Sequence, residues 1–106
     1  MDIQLKRGIL DVLVLSTLLR EDSYGYKIIK DLSGTAEISE STLYPILRRL
    51  EGGKCLTVHT EEYGGRLRKY YKITLQGKKK IDEFLSEFGE IVKMTGFIER
   101  TRRDNP

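Results

Sequence analysis

The sequence predicts a mostly helical α+β domain: three short helices, a β-hairpin and a long C-terminal helix, in that order. Three observations carry this. Apolar residues recur at helical spacing over most of the chain but alternate with polar ones over 55–74. Glycine pairs stand at Gly52-Gly53, behind a helical stripe, and at Gly64-Gly65, between two alternating runs. Beyond Leu75 a continuous apolar stripe runs to Ile98.

The first helix is expected over Ile3 to Leu19. Ile9, Val12, Leu13 and Leu19 form one stripe, and Leu10, Val14 and Leu18 a second beside it. A helix apolar over so much of its circumference is buried on more than one side. In a chain this small one side faces its own core, and Ile9, Leu10 and Leu13 are expected to face a second subunit. Asp22-Ser23 then offers an N-cap. Gly25, Ile28, Ile29 and Leu32 share one face of a short second helix, which Gly34 ends. A turn through Thr35 to Ile38 leads to Ser39, a second cap candidate.

The third helix has the cleanest period. Leu43, Ile46, Leu47 and Leu50 fall at i, i+3, i+4 and i+7. At about 100° per residue the opposite face carries Ser41, Pro45 and Arg48, flanked by Thr42, Tyr44 and Arg49. Pro45 lacks an N–H, so it marks the first turns. Gly52-Gly53 closes the helix. Two strands follow, over 55–62 and 67–74, joined by Tyr63-Gly64-Gly65-Arg66. Leu67, Tyr71 and Ile73 are expected inward, and Arg68, Tyr70 and Lys72 outward. In the last helix Ile81, Phe84, Leu85, Phe88, Ile91, Val92, Thr95 and Ile98 share a stripe. Its length favours pairing with another copy through Phe84, Phe88, Ile91, Val92 and Ile98. The tail RTRRDNP is expected to fray.

Composition narrows the function. At 106 residues, with 33% charged and 39% hydrophobic, the chain reads as one soluble domain. No apolar run approaches the roughly 20 residues that span a bilayer, and MDIQLKRG does not read as a secretory signal. The single cysteine, Cys55, allows no intrachain disulfide, and a reducing cytoplasm is expected. Cys55 and the single histidine, His59, cannot build a structural zinc site in a monomer and read as strand residues. Paired carboxylates in a pocket, a nucleophile with its base and a phosphate-cradling loop are all missing, so neither an enzyme nor a cofactor is expected.

Charge points instead to a polyanion. Residues 54–80 hold eight cations and two anions, a net of +6 on a chain whose total is +3. The order of elements is that of a winged helix-turn-helix over 1–75, with an added dimerisation helix over 76–106. A third helix with an apolar inner face and a Ser/Thr/Tyr/Arg outer face fits the DNA major groove. A hairpin tip with Arg66, Arg68 and Lys69 suits phosphates and a neighbouring minor groove. Residues expected to meet DNA are Tyr24, Ser41, Thr42, Tyr44, Pro45, Arg48, Arg49, Gly65, Arg66, Arg68 and Lys69. The alternative is a winged-helix protein-interaction module without DNA binding, which has no need of so concentrated a basic wing.

Several motifs, in order, resemble the PadR family of bacterial transcriptional regulators. They are Tyr24-Gly25-Tyr26, then Ser41-Thr42-Leu43-Tyr44-Pro45 with Leu47-Arg48-Arg49-Leu50-Glu51. Gly64-Gly65-Arg66, Arg68-Lys69-Tyr70-Tyr71, Ile73-Thr74 and Gly77 follow. The resemblance runs from about Gly8 to about Phe88. It implies a homodimer joined through its terminal helices on a palindromic operator. It also implies repression of a nearby gene, relieved by a small hydrophobic or aromatic effector, in the subgroup with a single C-terminal helix. Three positions depart from the pattern. Leu67 stands where the family usually has proline. Lys54-Cys55-Leu56 occupies the exit from the third helix, with the glycines earlier. Phe88 takes the place of a tryptophan.

Overall fold

The computed structural model describes all 106 residues. Its elements are α1 (Ile3–Ser16), α2 (Gly25–Leu32), α3 (Glu40–Gly52), β1 (Leu56–Tyr63), β2 (Arg66–Ile73) and α4 (Leu75–Asp104). This is the anticipated winged helix-turn-helix with a long C-terminal helix.

The Asp2 carboxylate caps α1, accepting from the Leu5 amide at 3.1 Å. The helix stops at Ser16, short of Leu19. There the Ser16 and Thr17 hydroxyls donate to the carbonyls of Leu13 and Val14, and the chain turns. Leu18 folds into the core while Leu19 stays exposed. The N-cap expected at Asp22-Ser23 moves to Tyr24, which makes no side-chain capping bond. Ser23 is used differently. Its N–H donates to the Tyr71 carbonyl at 3.1 Å, and the Tyr71 N–H returns a bond to its carbonyl at 2.7 Å. Ser23 is thereby a one-residue strand alongside β2, buried, with its hydroxyl unpaired.

All four stripe residues of α3 are buried, and they form the centre of the core with Val14, Leu15 and Ile28. Pro45 lies in the second turn, so the Ser41 carbonyl has no helical donor. At the exit from α3 the positive φ of 62° falls on Lys54, not on either preceding glycine. The Cys55 amide then donates back to the Leu50 carbonyl at 2.9 Å. Cys55 therefore lies in the turn before β1, buried, and not in the strand as anticipated.

The strands pair antiparallel from Leu56↔Ile73 to Tyr63↔Arg66. Gly64 and Gly65 both have positive φ, at 58° and 81°, as a two-residue type I′ turn requires. Tyr71 and Ile73 are buried as expected, but Leu67 is 78% exposed. At the tip the ribbon extends past the helical body, so an inward-facing position there has no core to meet.

Thr74 ties α4 to the body. Its hydroxyl accepts from the Gly77 amide at 3.1 Å and donates to the Lys54 carbonyl at 2.7 Å. Gly77 and Ile81 are buried, and Phe84 packs against the core. Beyond that point the 30-residue helix, about 45 Å long at 1.5 Å per residue, leaves the body. The molecule measures 63 × 26 × 24 Å. The tail expected to fray is helical to Asp104. Arg102 and Arg103 lie beside the terminal carbonyls, and Asn105 Nδ2 donates to the Thr101 carbonyl at 2.9 Å.

One ion pair crosses the fold. Arg49 Nη2 of α3 lies 2.6 Å from Asp11 Oδ1 of α1, and Asp11 is buried. Replacing Arg49 with methionine keeps the aliphatic stem but leaves the carboxylate unpaired. Arg49→Met should therefore cost about 1–3 kcal/mol in chemical denaturation. Exposed Arg48→Ala should stay within about 0.5 kcal/mol of the parent. Equal costs would remove the pair from the list of stabilising contacts. A Cβ added at Gly77 would collide with the Cys55 carbonyl and approach Ile73 Cγ1 to 2.7 Å. Gly77→Ala should thus destabilise by about 1–3 kcal/mol despite the higher helix propensity of alanine, and a raised Tm would contradict the close approach.

Candidate nucleic-acid interface

The cations of the wing and several tyrosines gather around a cleft of about 750 Å³ between the helices and the hairpin. Tyr24, Tyr26, Glu40 and Tyr44 line one wall. Tyr63, Arg66, Arg68 and Lys69 line the other. Gly25 lets α2 and α3 approach within the first wall, because a Cβ there would stand 2.6 Å from the Tyr44 hydroxyl. The Tyr44 hydroxyl thus lies over the bare Cα of Gly25, while the residue stays partly exposed. Arg48, Tyr44 and Lys69 meet in a smaller depression with Tyr71. Burial raises the Tyr71 phenol above its ordinary pKa of 10.0, so this buried ring is neutral at physiological pH.

Ser41, Thr42 and Pro45 are exposed near the start of α3. The Ser39 hydroxyl lies 2.8 Å from that of Ser41 and 3.3 Å from that of Thr42, so it bridges side chains and does not cap an amide. These residues share a shallow depression with Lys6, Arg7 and Leu10 of α1. Lys6 and Arg7, both exposed, were missed by sequence reasoning because the net charge of 1–38 is −1. Arg49 lines the same depression but is committed to Asp11.

The wing divides its charges between faces. Arg66 and Arg68 share one face with Tyr63 and Tyr70, while Lys69 shares the other with Tyr71 and faces α3. Arg66 and Lys69 are exposed. Arg68 is half-buried, its guanidinium carbon 4.0 Å from the ring centroid of Tyr24 and 4.5 Å from that of Tyr63. The Tyr70 hydroxyl, followed by the neighbouring tyrosines, holds the Arg68 pKa above its ordinary value. Tyr70, expected outward, is half-buried: its ring meets the edge of Tyr24 at 5.5 Å and stacks on His59 at 5.7 Å. His59 Nε2 in turn lies 3.3 Å from Glu61 and 3.9 Å from Asp22.

Backbone groups add to the cleft. Tyr71 gives its amide and carbonyl to Ser23, and antiparallel pairing alternates, so Leu67 and Lys69 turn theirs to the same edge of β2. No strand covers that edge beyond Tyr71. Only the register shows this, so residue types alone could not.

The residues expected at a subunit interface lie elsewhere. Ile9, Leu10 and Leu13 are half-buried on α1. Phe84 and Phe88 are half-buried on α4 and stack with centroids 4.4 Å apart. Ile91, Val92 and Ile98 are exposed beyond the body, together with Met94 and Phe97, which sequence reasoning passed over. No helix is long and apolar enough to cross a membrane.

Comparison with known proteins agrees with this geometry. Residues 14–83 match the model of the transcriptional regulator PadR-like family. An uncharacterised protein from Lysinibacillus sphaericus is 36% identical over 90 residues, covering 80% of this chain and 83% of its own. A PadR family transcriptional regulator from Eggerthella lenta superposes with a TM-score of 0.79 at 36% identity, covering 93% of this chain and 88% of that one. A transcriptional regulator from Clostridium thermocellum gives 0.78 at 32%, covering 88% and 95%. The family comprises DNA-binding transcription regulators and not enzymes. A match over most of the winged body, on a fold with a basic wing beside an exposed α3, makes this chain a member of the PadR-like family of transcriptional regulators.

Proposed function

We propose that the chain is a homodimeric, sequence-specific regulator that represses a nearby promoter by occupying a palindromic operator. The observation that carries this reading is the cleft itself: Glu40 and Tyr44 of α3 line it opposite Arg66, Arg68 and Lys69 of the wing, and Arg48 meets Lys69 in the depression beside it. With α3 in a major groove, the intervening phosphates run through that cleft. Arg48, Ser41, Thr42 and Tyr44 then face base edges and nearby phosphates, with Pro45 beside them. Arg66, Gly65 and Lys69 meet the backbone from the wing, and the open amides of Leu67 and Lys69 supply neutral donors. Arg49 contributes through the orientation of α3, since its guanidinium is held by Asp11.

Dimerisation is inferred from α4. Its apolar residues continue well past the body, and Ile91, Val92 and Ile98 have no partner within the chain. A second copy, packed against α4 and the half-buried Ile9, Leu10 and Leu13, would cover them and space two wings for a two-fold site. A small hydrophobic or aromatic effector would lie in that interface against the Phe84–Phe88 stack.

A mobility shift on the DNA upstream of the protein's own gene, titrated with salt, tests the reading. Each neutralised phosphate contributes about 0.9 to the log–log salt slope, so Arg66→Ala should flatten it by about 1.8 in a dimer. An unchanged slope removes Arg66 from the interface. A dimer that shifts no DNA at any salt favours the protein-interaction module. Phe88→Asp introduces a charge into the proposed interface and should yield monomers in sedimentation; a persistent dimer overturns that interface.

A further inference from the structure

We propose that Arg68 is a positioning residue: a strut that fixes the wing against the start of α2, and not a phosphate contact. The proposal rests on the DNA-binding reading for its consequence but on side-chain geometry for its substance. Tyr24 belongs to the N-terminus of α2, Tyr63 to the end of β1 and Arg68 to β2. The Arg68 guanidinium lies over both rings, at 4.0 Å and 4.5 Å, and so joins all three elements at one point. The stack continues inward through the edge contact of Tyr24 with Tyr70 and the stacking of Tyr70 on His59.

The hairpin needs such a strut. Ser23 pins β2 at Tyr71, and toward the tip no further strand flanks it. A two-stranded ribbon is marginal on its own and twists readily. Arg68 lies three residues nearer the tip than the Ser23 bridge, so its stack is a second tie between the wing and the helical body. The Ser23 bridge and the buried Tyr71 and Ile73 hold the base of the ribbon, and the Arg68 stack holds it nearer the tip.

Its surroundings make Arg68 a poor phosphate ligand. Two tyrosine rings lie against the guanidinium, and Glu61, its partner across the ladder, puts a negative charge on the same face of the ribbon. Arg66 on the same face and Lys69 on the other are the exposed cations of the tip. The strut holds them at a set height above α3, and the structural role of Tyr24 is to be its seat.

Binding of a fluorescein-labelled mixed-sequence DNA duplex, followed by anisotropy across salt concentrations, separates the two roles. Arg68→Ala should weaken binding roughly tenfold with the salt slope unchanged, because no phosphate loses its neutralising charge. Arg68→Lys keeps the charge but not the planar stack and should not restore affinity. Tyr24→Leu should match Arg68→Ala, the double variant should be no worse than either single one, and Tyr24→Phe should stay near the parent. A slope lower by about 1.8 in Arg68→Ala, restored by Arg68→Lys, would make Arg68 a phosphate contact and overturn the proposal. If the parent binds no duplex at all, the DNA reading fails separately, and amide hydrogen exchange still tests the strut. Protection over Glu61–Lys69 should then fall in Arg68→Ala and Tyr24→Leu but not in Arg66→Ala. Equal protection in all three would reject it.

Discussion

Two backbone hydrogen bonds between Ser23 and Tyr71, at 3.1 and 2.7 Å, decide where the hairpin stands. They join the loop before α2 to the middle of β2, in a chain whose own sheet has only two strands. From that pairing several features follow. The Tyr71 side chain is driven into the core beneath α3. Tyr24, one residue beyond Ser23, begins α2 with its ring beside Tyr70 and Arg68. The alternating pattern of an antiparallel ladder then commits the amides of Leu67 and Lys69 to the open edge. Ser23 carries out this task with its backbone, and its hydroxyl is buried without a partner. A buried hydroxyl without a bond is costly, and the two ladder bonds made beside it offset that cost.

The polar residues near α3 and the wing sort by what holds them. Arg49 is fastened to a buried carboxylate and Arg68 to two tyrosine rings, while Arg48, Arg66 and Lys69 extend freely. A charge already satisfied within the fold costs more to redirect to a ligand than one still in water. The cations near the cleft therefore divide into a scaffold and a surface. The scaffold is spent within the fold, and the surface is left open to solvent. Gly25 belongs with the scaffold, since the Tyr44 hydroxyl occupies the space its side chain would need.

α4 works under a different constraint. Its first turns belong to the winged body, locked by Thr74 and by the bare Cα of Gly77 against the Cys55 carbonyl. Its remaining turns meet nothing in the chain. A helix of that length is held straight by its own backbone bonds but gains tertiary stability only where an apolar face is covered. The same helix thus begins inside the winged body and ends outside it, so no boundary at residues 75 and 76 separates two independently packed units.

The periodic elements were legible in the residues. The i, i+3, i+4, i+7 stripe of α3, the glycine pair at the hairpin tip and the alternation around Tyr71 each follow from local geometry that a side chain either suits or does not. The concentration of charge in 54–80 and the motifs shared with relatives were equally visible. What the sequence left open depends on partners distant in the chain. Ser23 looked like a cap until Tyr71, far along the chain, took its backbone. Arg49 and Arg68 stood among the residues expected to meet DNA until Asp11, Tyr24 and Tyr63 were brought against them. Leu67 looked inward because strand parity says so, but parity states only which face a residue shares, not whether that face still has a core beneath it. Local pattern determines the elements; which polar groups are consumed by the fold, and which remain for DNA, is decided by contacts that form only once those elements have packed.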